Sequence, residues 1–261
     1  MLELDNINKR FRLKDAKQSN QLCADDPRVS GRFFYALKNV SINCKAAEVV
    51  ALLGANGAGK TTLLRVLSTA LAADSGQIKL NGQEIKQNKL KYRKSIGFLS
   101  GTTGLYARLS GYENLQYFSN LYGLDKAQGK VRIDTLIKKL NMQDFIHRRF
   151  DDYSTGMKQK VAIARAVLHN PDFVILDEPT TGLDIRAREV ILNFIETLKN
   201  EGVGVIFSTH DLAEVERLCQ RIYIVEQGQV RFSGDIQQLM QHSQSDSLFD
   251  AVLQHMEVAH D

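Results

Sequence analysis

The chain has 261 residues, 43% of them hydrophobic and 25% charged, with a net charge of +4. These totals exclude a disordered chain and describe an ordinary globular protein, large enough for one α/β domain or a core carrying an insertion. The small positive surplus gives no ground for expecting nucleic acid as a partner, and no window approaches the ~20 apolar residues of a membrane helix, so a membrane role has to come through a partner.

In chain order, Leu2 to Ile7 alternates weakly and predicts an edge strand, and Lys9-Arg10-Phe11 follows it. The polar stretch from Arg12 to Arg32 reads as an exposed loop or insertion. Val40 to Asn43 predicts a strand, and Glu48 to Leu53 is an apolar run suited to a buried parallel strand. Thr61 to Leu67 has helical spacing, and Gly76 to Gly82 ends in an Asn-Gly pair that signals a hairpin. Ile96 to Leu99 is a further buried strand, and Tyr112 to Leu121 and Val131 to Leu140 are predicted helices. The block from about 100 to 157 is therefore a helical subdomain inserted in an α/β core. Met157 to Leu168 (helix), Phe173 to Leu176 (strand), Arg186 to Lys199 (helix), Val203 to Ser208 (strand) and Asp211 to Cys219 (helix) continue that core. Arg221 to Glu226 and Gln229 to Ser233 close it as a strand pair, completing one domain over 1–234. Asp235 to His242 and Ser247 to His255 are predicted surface helices in a C-terminal helical extension, 235–261, whose role stays open. Alternating strands and helices imply a mostly parallel sheet with functional groups at the strand carboxyl ends. Cys23, Cys44 and Cys219 are isolated and odd in number, which fits free thiols in a reducing cytosol, and Met1 to Asp5 does not open a signal peptide.

The most informative stretch is Gly54-Ala-Asn56-Gly57-Ala-Gly59-Lys60-Thr61, the pattern G-x-x-x-x-G-K-T between a predicted strand and a predicted helix. Its glycines let backbone N–H groups curl around the β- and γ-phosphates of a nucleotide, and the helix N-terminus adds positive potential. Lys60 is placed to reach those phosphates, and the Thr61 hydroxyl to ligate Mg²⁺. Asp177-Glu178 closes a strand that is apolar on both faces, which sets two carboxylates at the same sheet edge. Asp177 can hold Mg²⁺, leaving Glu178 as general base toward the attacking water. Ser154-Thr-Gly156, ahead of the basic residues Lys158, Lys160 and Arg165, is a further anion-binding helix start, and His210 follows a strand within reach of a γ-phosphate.

The ordered set resembles the ATPase subunit of ABC transporters over nearly the whole chain. It runs from the phosphate loop to Tyr153-Ser-Thr-Gly-Met157, Asp177-Glu178-Pro179, Gly182-Leu-Asp184 and Ser208-Thr-His210. The resemblance implies the ABC ATPase fold, a P-loop core with an antiparallel β subdomain and an inserted helical subdomain. It implies ATP and Mg²⁺ as cofactors, with Gly54 to Thr62 as the Walker A loop, Asp177 and Glu178 as Walker B and catalytic glutamate, Thr181 to Asp184 as the D-loop, and His210 as the switch histidine. It also implies a two-fold dimer in which Ser154 and Gly156 touch the γ-phosphate held by the other subunit, and a separate membrane permease at the cytoplasmic face of the cell membrane.

The sequence departs from that family at Thr155 and Met157 in the signature, and at Gly101, where a glutamine is expected. There a hydroxyl of Ser100, Thr102 or Thr103, or a water, takes the place of the amide. Phe11 is the expected adenine-stacking residue, with Phe34 and Tyr35 as open alternatives. Ile96 to Tyr106 together with Tyr153 to Val161 looks like the sodium-extruding, Nat-type ABC exporters. The alternative is a soluble ABC-type ATPase acting on ribosomes or nucleic acid; such relatives usually carry two cassettes, coiled coils or metal-binding cysteines, and none is seen here.

Overall fold

The computed structural model describes residues 1–13, 26–100 and 104–257. They form two compact units, Met1–Lys45 with Val50–Lys89 and His210–Asp261, and Ala46–Val49 with Leu90–Thr209. Among the described residues no helix is long and apolar enough to cross a membrane.

In the first unit, β1 (Leu2–Arg12), β2 (Val29–Ser30), β3 (Phe33–Cys44), β5 (Ser75–Leu80) and β6 (Gln83–Glu84) form a sheet in the order β2-β3-β1-β5-β6. All its pairings are antiparallel. β1 is thus not an edge strand: Leu2 pairs with Cys44 on one side and with Leu80 on the other. Side-chain alternation reports which face is wet, not whether the backbone is paired on both sides, and Asn6 at φ 50 interrupts the alternation with a register shift. β3 is also far longer than the alternating stretch Val40 to Asn43 that predicts it. The Asn-Gly hairpin forms as expected, with Asn81 and Gly82 both at positive φ between β5 and β6.

The same unit holds β4 (Val49–Leu53), α1 (Lys60–Leu67), β10 (Arg221–Glu226) and β11 (Gln229–Gly234). β4 is buried along its whole length and runs parallel to β10, as a strand covered on both faces should. β11 returns antiparallel to β10. The short α2 (Lys89–Ser95) was not legible, because Tyr92 is its single buried residue and no apolar period exists to read.

In the second unit β7 (Ile96–Ser100), β8 (Phe173–Asp177) and β9 (Gly204–Ser208) are parallel neighbours in register. Besides α2, which belongs to this unit from Leu90 onward, its helices are α3 (Gly111–Leu121), α4 (Lys126–Lys139), α5 (Thr155–Val167) and α6 (Ile185–Asn200). Each starts on a side-chain cap, Ser110, Asp125, Ser154 and Asp184 respectively, and Ser110 with Glu113 completes a reciprocal capping box. His169, just past α5, donates Nε2–H to the Ile96 carbonyl at 3.1 Å and lies 4.4 Å from the Tyr122 ring. Burial holds its pKa below the usual histidine range, the bond to Ile96 opposes this, and the nearby Arg132 cation reinforces it. The unfolded chain therefore binds the proton more readily, and stability falls as pH drops below about 6.5. Melting scans from pH 8 to 5 should show a steeper loss for the parent than for a His169→Gln variant; parallel slopes would count against this.

The first unit ends in α7 (Leu212–Leu218), α8 (Ile236–Ser243) and α9 (Leu248–Glu257). Leu239, Leu248, Ala251 and Val252 are buried, so the two last helices pack rather than trail.

Candidate active site

The loop between β4 and α1 depends on its glycines for different reasons. Gly54 has φ 152, and a Cβ there would lie 2.1 Å from the Val225 carbonyl oxygen. Gly59, the N-cap of α1, has φ 112, and its Cβ would lie 2.8 Å from the Ala36 carbonyl oxygen. Gly57 has φ 83 with open space around it, so only its backbone conformation asks for glycine. Lys60 is 6% exposed, and its ammonium donates to the carbonyls of Gly54 at 2.6 Å and Ala55 at 3.0 Å. The lysine charge thus sits within the loop, beside the first turn of a helix whose leading N–H groups point the same way. Asn56 and Thr61 are exposed and Thr62 is half-buried. The loop is held from outside as well, by Gly228 N–H to the Ala58 carbonyl at 2.8 Å and by the Arg28 guanidinium to the Gly57 carbonyl at 2.7 Å. An ammonium inside a loop with no room for a Cβ at Gly54 or Gly59, facing a helix N-terminus, is donor chemistry that fits the phosphates of a nucleotide.

Asp177 ends β8, in register with Ser100 of β7 and Ser208 of β9. The fully buried Ser208 hydroxyl donates to Asp177 Oδ1 at 2.8 Å and accepts from the Glu178 N–H at 2.9 Å. Glu178 occupies φ 47, a strained value for a residue with a side chain, and the Thr181 hydroxyl donates to its Oε2 at 3.1 Å. Ser208 and Thr181 thus orient the two carboxylates. Sequence reading placed both residues inside motifs without giving them this role, and the available signal is that a serine ends the strand next to the aspartate's.

Ser154 caps α5 and accepts from the Met157 N–H at 3.3 Å. Gly156 is buried, and a Cβ there would lie 2.8 Å from Cβ of Ala187 at the start of α6. Tyr153 is turned inward, donating to the Phe145 carbonyl at 2.8 Å and accepting from the Gly111 N–H at 3.1 Å. Gln159, also missed in sequence, donates to the Pro179 carbonyl at 2.8 Å and so fixes the chain just after Glu178.

His210 is exposed, immediately before the Asp211 cap of α7. Phe11 is 41% exposed at the far end of β1, opposite Phe34, with the Lys9 ammonium 5.5 Å from its ring. One face of Phe34 is taken by the Arg28 guanidinium at 4.7 Å, and Tyr35 lines a nearby cavity. Gly101, Thr102 and Thr103 lie outside the described residues.

A phosphate loop after a buried strand, with paired carboxylates at the end of a parallel strand, defines a P-loop nucleotide hydrolase. The family model for ABC transporters matches residues 37–181. The ABC transporter ATP-binding protein NatA of Bacillus subtilis (strain 168) is 42% identical over 82% of this chain and 87% of that protein. The daunorubicin resistance ATP-binding protein DrrA3 of Streptomyces coeruleorubidus is 34% identical over 84% and 69%. A solved ATP-binding subunit of an ABC transporter superposes with a TM-score of 0.80 at 27% identity, covering 98% of this chain and 99% of its own. The chain belongs to the ABC transporter family and is an ATP-binding, ATP-hydrolysing subunit with the ABC ATPase fold.

Proposed function

We propose that this subunit energises a separate membrane permease from the cytoplasmic face of the cell membrane, and that the assembly exports its substrate, with sodium ions as the substrate to test first. The observation that carries the reading is the likeness to NatA over most of both chains, beside the resistance protein DrrA3. An exposed aromatic surface in the second unit supports a docking partner: Tyr106, Tyr117, Leu121 and Tyr122 are 38–66% exposed, and the rings of Tyr106 and Tyr117 stand edge to face at 4.9 Å.

In this reading Gly54, Asn56, Gly57, Gly59, Lys60, Thr61 and Thr62 hold the phosphates, with Phe11 under the adenine. The Thr61 hydroxyl and the Asp177 carboxylate hold Mg²⁺. When bound, Mg²⁺ neutralises charge on the phosphoryl oxygens. Glu178 takes a proton from the attacking water, and His210 hydrogen-bonds the γ-phosphate. Two subunits pair about a two-fold axis, with Ser154 and Gly156 of one meeting the phosphates held by the other. Residues 1–234 act as the ATP-binding domain, and 235–261 as an appended helical pair.

The test is to tag the chain, isolate it with native membranes and identify what co-purifies. A multi-span protein that raises ATP turnover when the two are reconstituted, with ATP-dependent sodium flux in the vesicles, is the expected result. A transporter without sodium flux would overturn the substrate, and a chain that brings down ribosomes or nucleic acid would overturn the permease itself.

A further inference from the structure

We propose that Arg28 is a positioning residue of the nucleotide site: its guanidinium fixes the Gly57–Ala58 peptide and so sets the shape in which the loop receives phosphates. This rests on the ATP-binding reading above.

Of the stretch Arg12 to Arg32 that reads as an exposed loop, residues 14–25 lie outside the described residues, and the part after them is paired with β3. Val29 and Ser30 pair with Phe34 and Phe33, the Val29 N–H donates to the Asp26 carbonyl at 2.9 Å, and the Tyr35 N–H donates to the Arg28 carbonyl at 2.8 Å. Arg28 is then aimed from two sides. The Asp26 carboxylate accepts from Nε at 2.9 Å and from Nη2 at 2.6 Å, and the Phe34 ring lies 4.7 Å from the guanidinium carbon. Both charged side chains are shielded, at 18% and 15% exposure, and the Arg28 hydrogen bond holds the Asp26 carboxyl below the usual carboxylate range. With one edge of the planar fork committed to Asp26, Nη1 points at the phosphate loop and donates to the Gly57 carbonyl at 2.7 Å.

That carbonyl belongs to the fourth position of G-x-x-x-x-G-K-T. Across the same peptide, the Ala58 N–H donates to the Ala55 carbonyl at 3.1 Å. The Gly57–Ala58 peptide is therefore held at both ends, at a glycine whose φ of 83 is one of several values open to it. Charge is not what makes Arg28 special. Lys38 and Arg231 border the same cavity of about 410 Å³ and would keep the region positive without it. What Arg28 alone supplies is a rigid fork spanning Asp26 and Gly57, which a lysine ammonium cannot reproduce.

The experiment is calorimetric titration of the full chain with MgATP, comparing the parent with Arg28→Ala, Arg28→Lys and Asp26→Asn. Arg28→Ala should weaken ATP binding about tenfold, and Arg28→Lys should fail to restore it. Asp26→Asn, which keeps the cation but loosens its aim, should lie between the parent and Arg28→Ala. In turnover assays the loss should appear in KM more than in kcat. Parent-like affinity in Arg28→Ala, or full recovery in Arg28→Lys, would overturn the proposal. Should Arg28→Ala fail to fold, an Asp26→Asn protein binding as tightly as the parent would overturn it alone. A parent chain that does not bind ATP would sink the underlying reading instead, and the two failures are distinguishable.

Discussion

A Glu178→Gln variant is expected to hydrolyse ATP about 10²- to 10⁴-fold more slowly than the parent, while its ATP affinity stays within about threefold. The reasoning starts at the backbone. Glu178 sits at φ 47 with its N–H held by the Ser208 hydroxyl, and that hydroxyl also ties down Asp177. Strain of this kind persists where the surroundings over-determine it, and here the Ser208 and Thr181 side chains converge on the two carboxylate residues. The Thr181 hydroxyl then orients the Glu178 carboxylate through Oε2. Glutamine has the same shape and can keep the Thr181 contact through its carbonyl oxygen, but its amide cannot take a proton from water. Loss of rate with retained binding isolates basicity from geometry. Nucleotide binding followed by calorimetry and turnover by phosphate release check the two parts. A variant that turns over at the parent rate would remove Glu178 from the general-base role.

The same residues show what sequence could and could not reveal. Phosphate chemistry dictates residue types at fixed spacing, so the loop from Gly54 to Thr61 and the pair Asp177-Glu178 were readable before any fold was known. Buried parallel strands were readable for a related reason: Val49–Leu53 and Phe173–Leu176 are apolar on both faces, which leaves few other structures open to them. Positioning groups are different. Ser208, Thr181 and Gln159 act through partners far away in sequence, and their residue types are common in turns and helices. β1 was misread as an edge strand because its polar residues reflect a wet face, while its backbone is paired on both sides by β3 and β5. Arg28 lay in a polar segment with no period. Nothing local distinguishes an arginine in solvent from one clasped by Asp26 and resting on Phe34.

Gly54→Ala is expected to destabilise the protein more than any other substitution in the loop, by about 3–5 kcal/mol from overpacking and backbone strain together. From the motif alone, Gly54 is a glycine that lets backbone approach phosphate. In the structure it has a second task independent of any ligand: its missing Cβ would sit 2.1 Å from the Val225 carbonyl oxygen. That oxygen cannot retreat easily. Val225 pairs with Val230 of β11, and the residue before it, Ile224, pairs with Leu53 of β4, directly ahead of Gly54. Relief would mean prising apart the β4–β10 ladder that delivers the loop. φ 152 adds strain of its own. Gly57→Ala is the control within the same loop. A Cβ there meets nothing within 4 Å, so only φ 83 resists it, at about 1–2 kcal/mol. Thermal melting without nucleotide should therefore fall by about 10 °C for Gly54→Ala, with Gly57→Ala shifted by less than half as much. Equal shifts would mean that backbone conformation alone explains both glycines, and that β10 yields where its ladder says it should not.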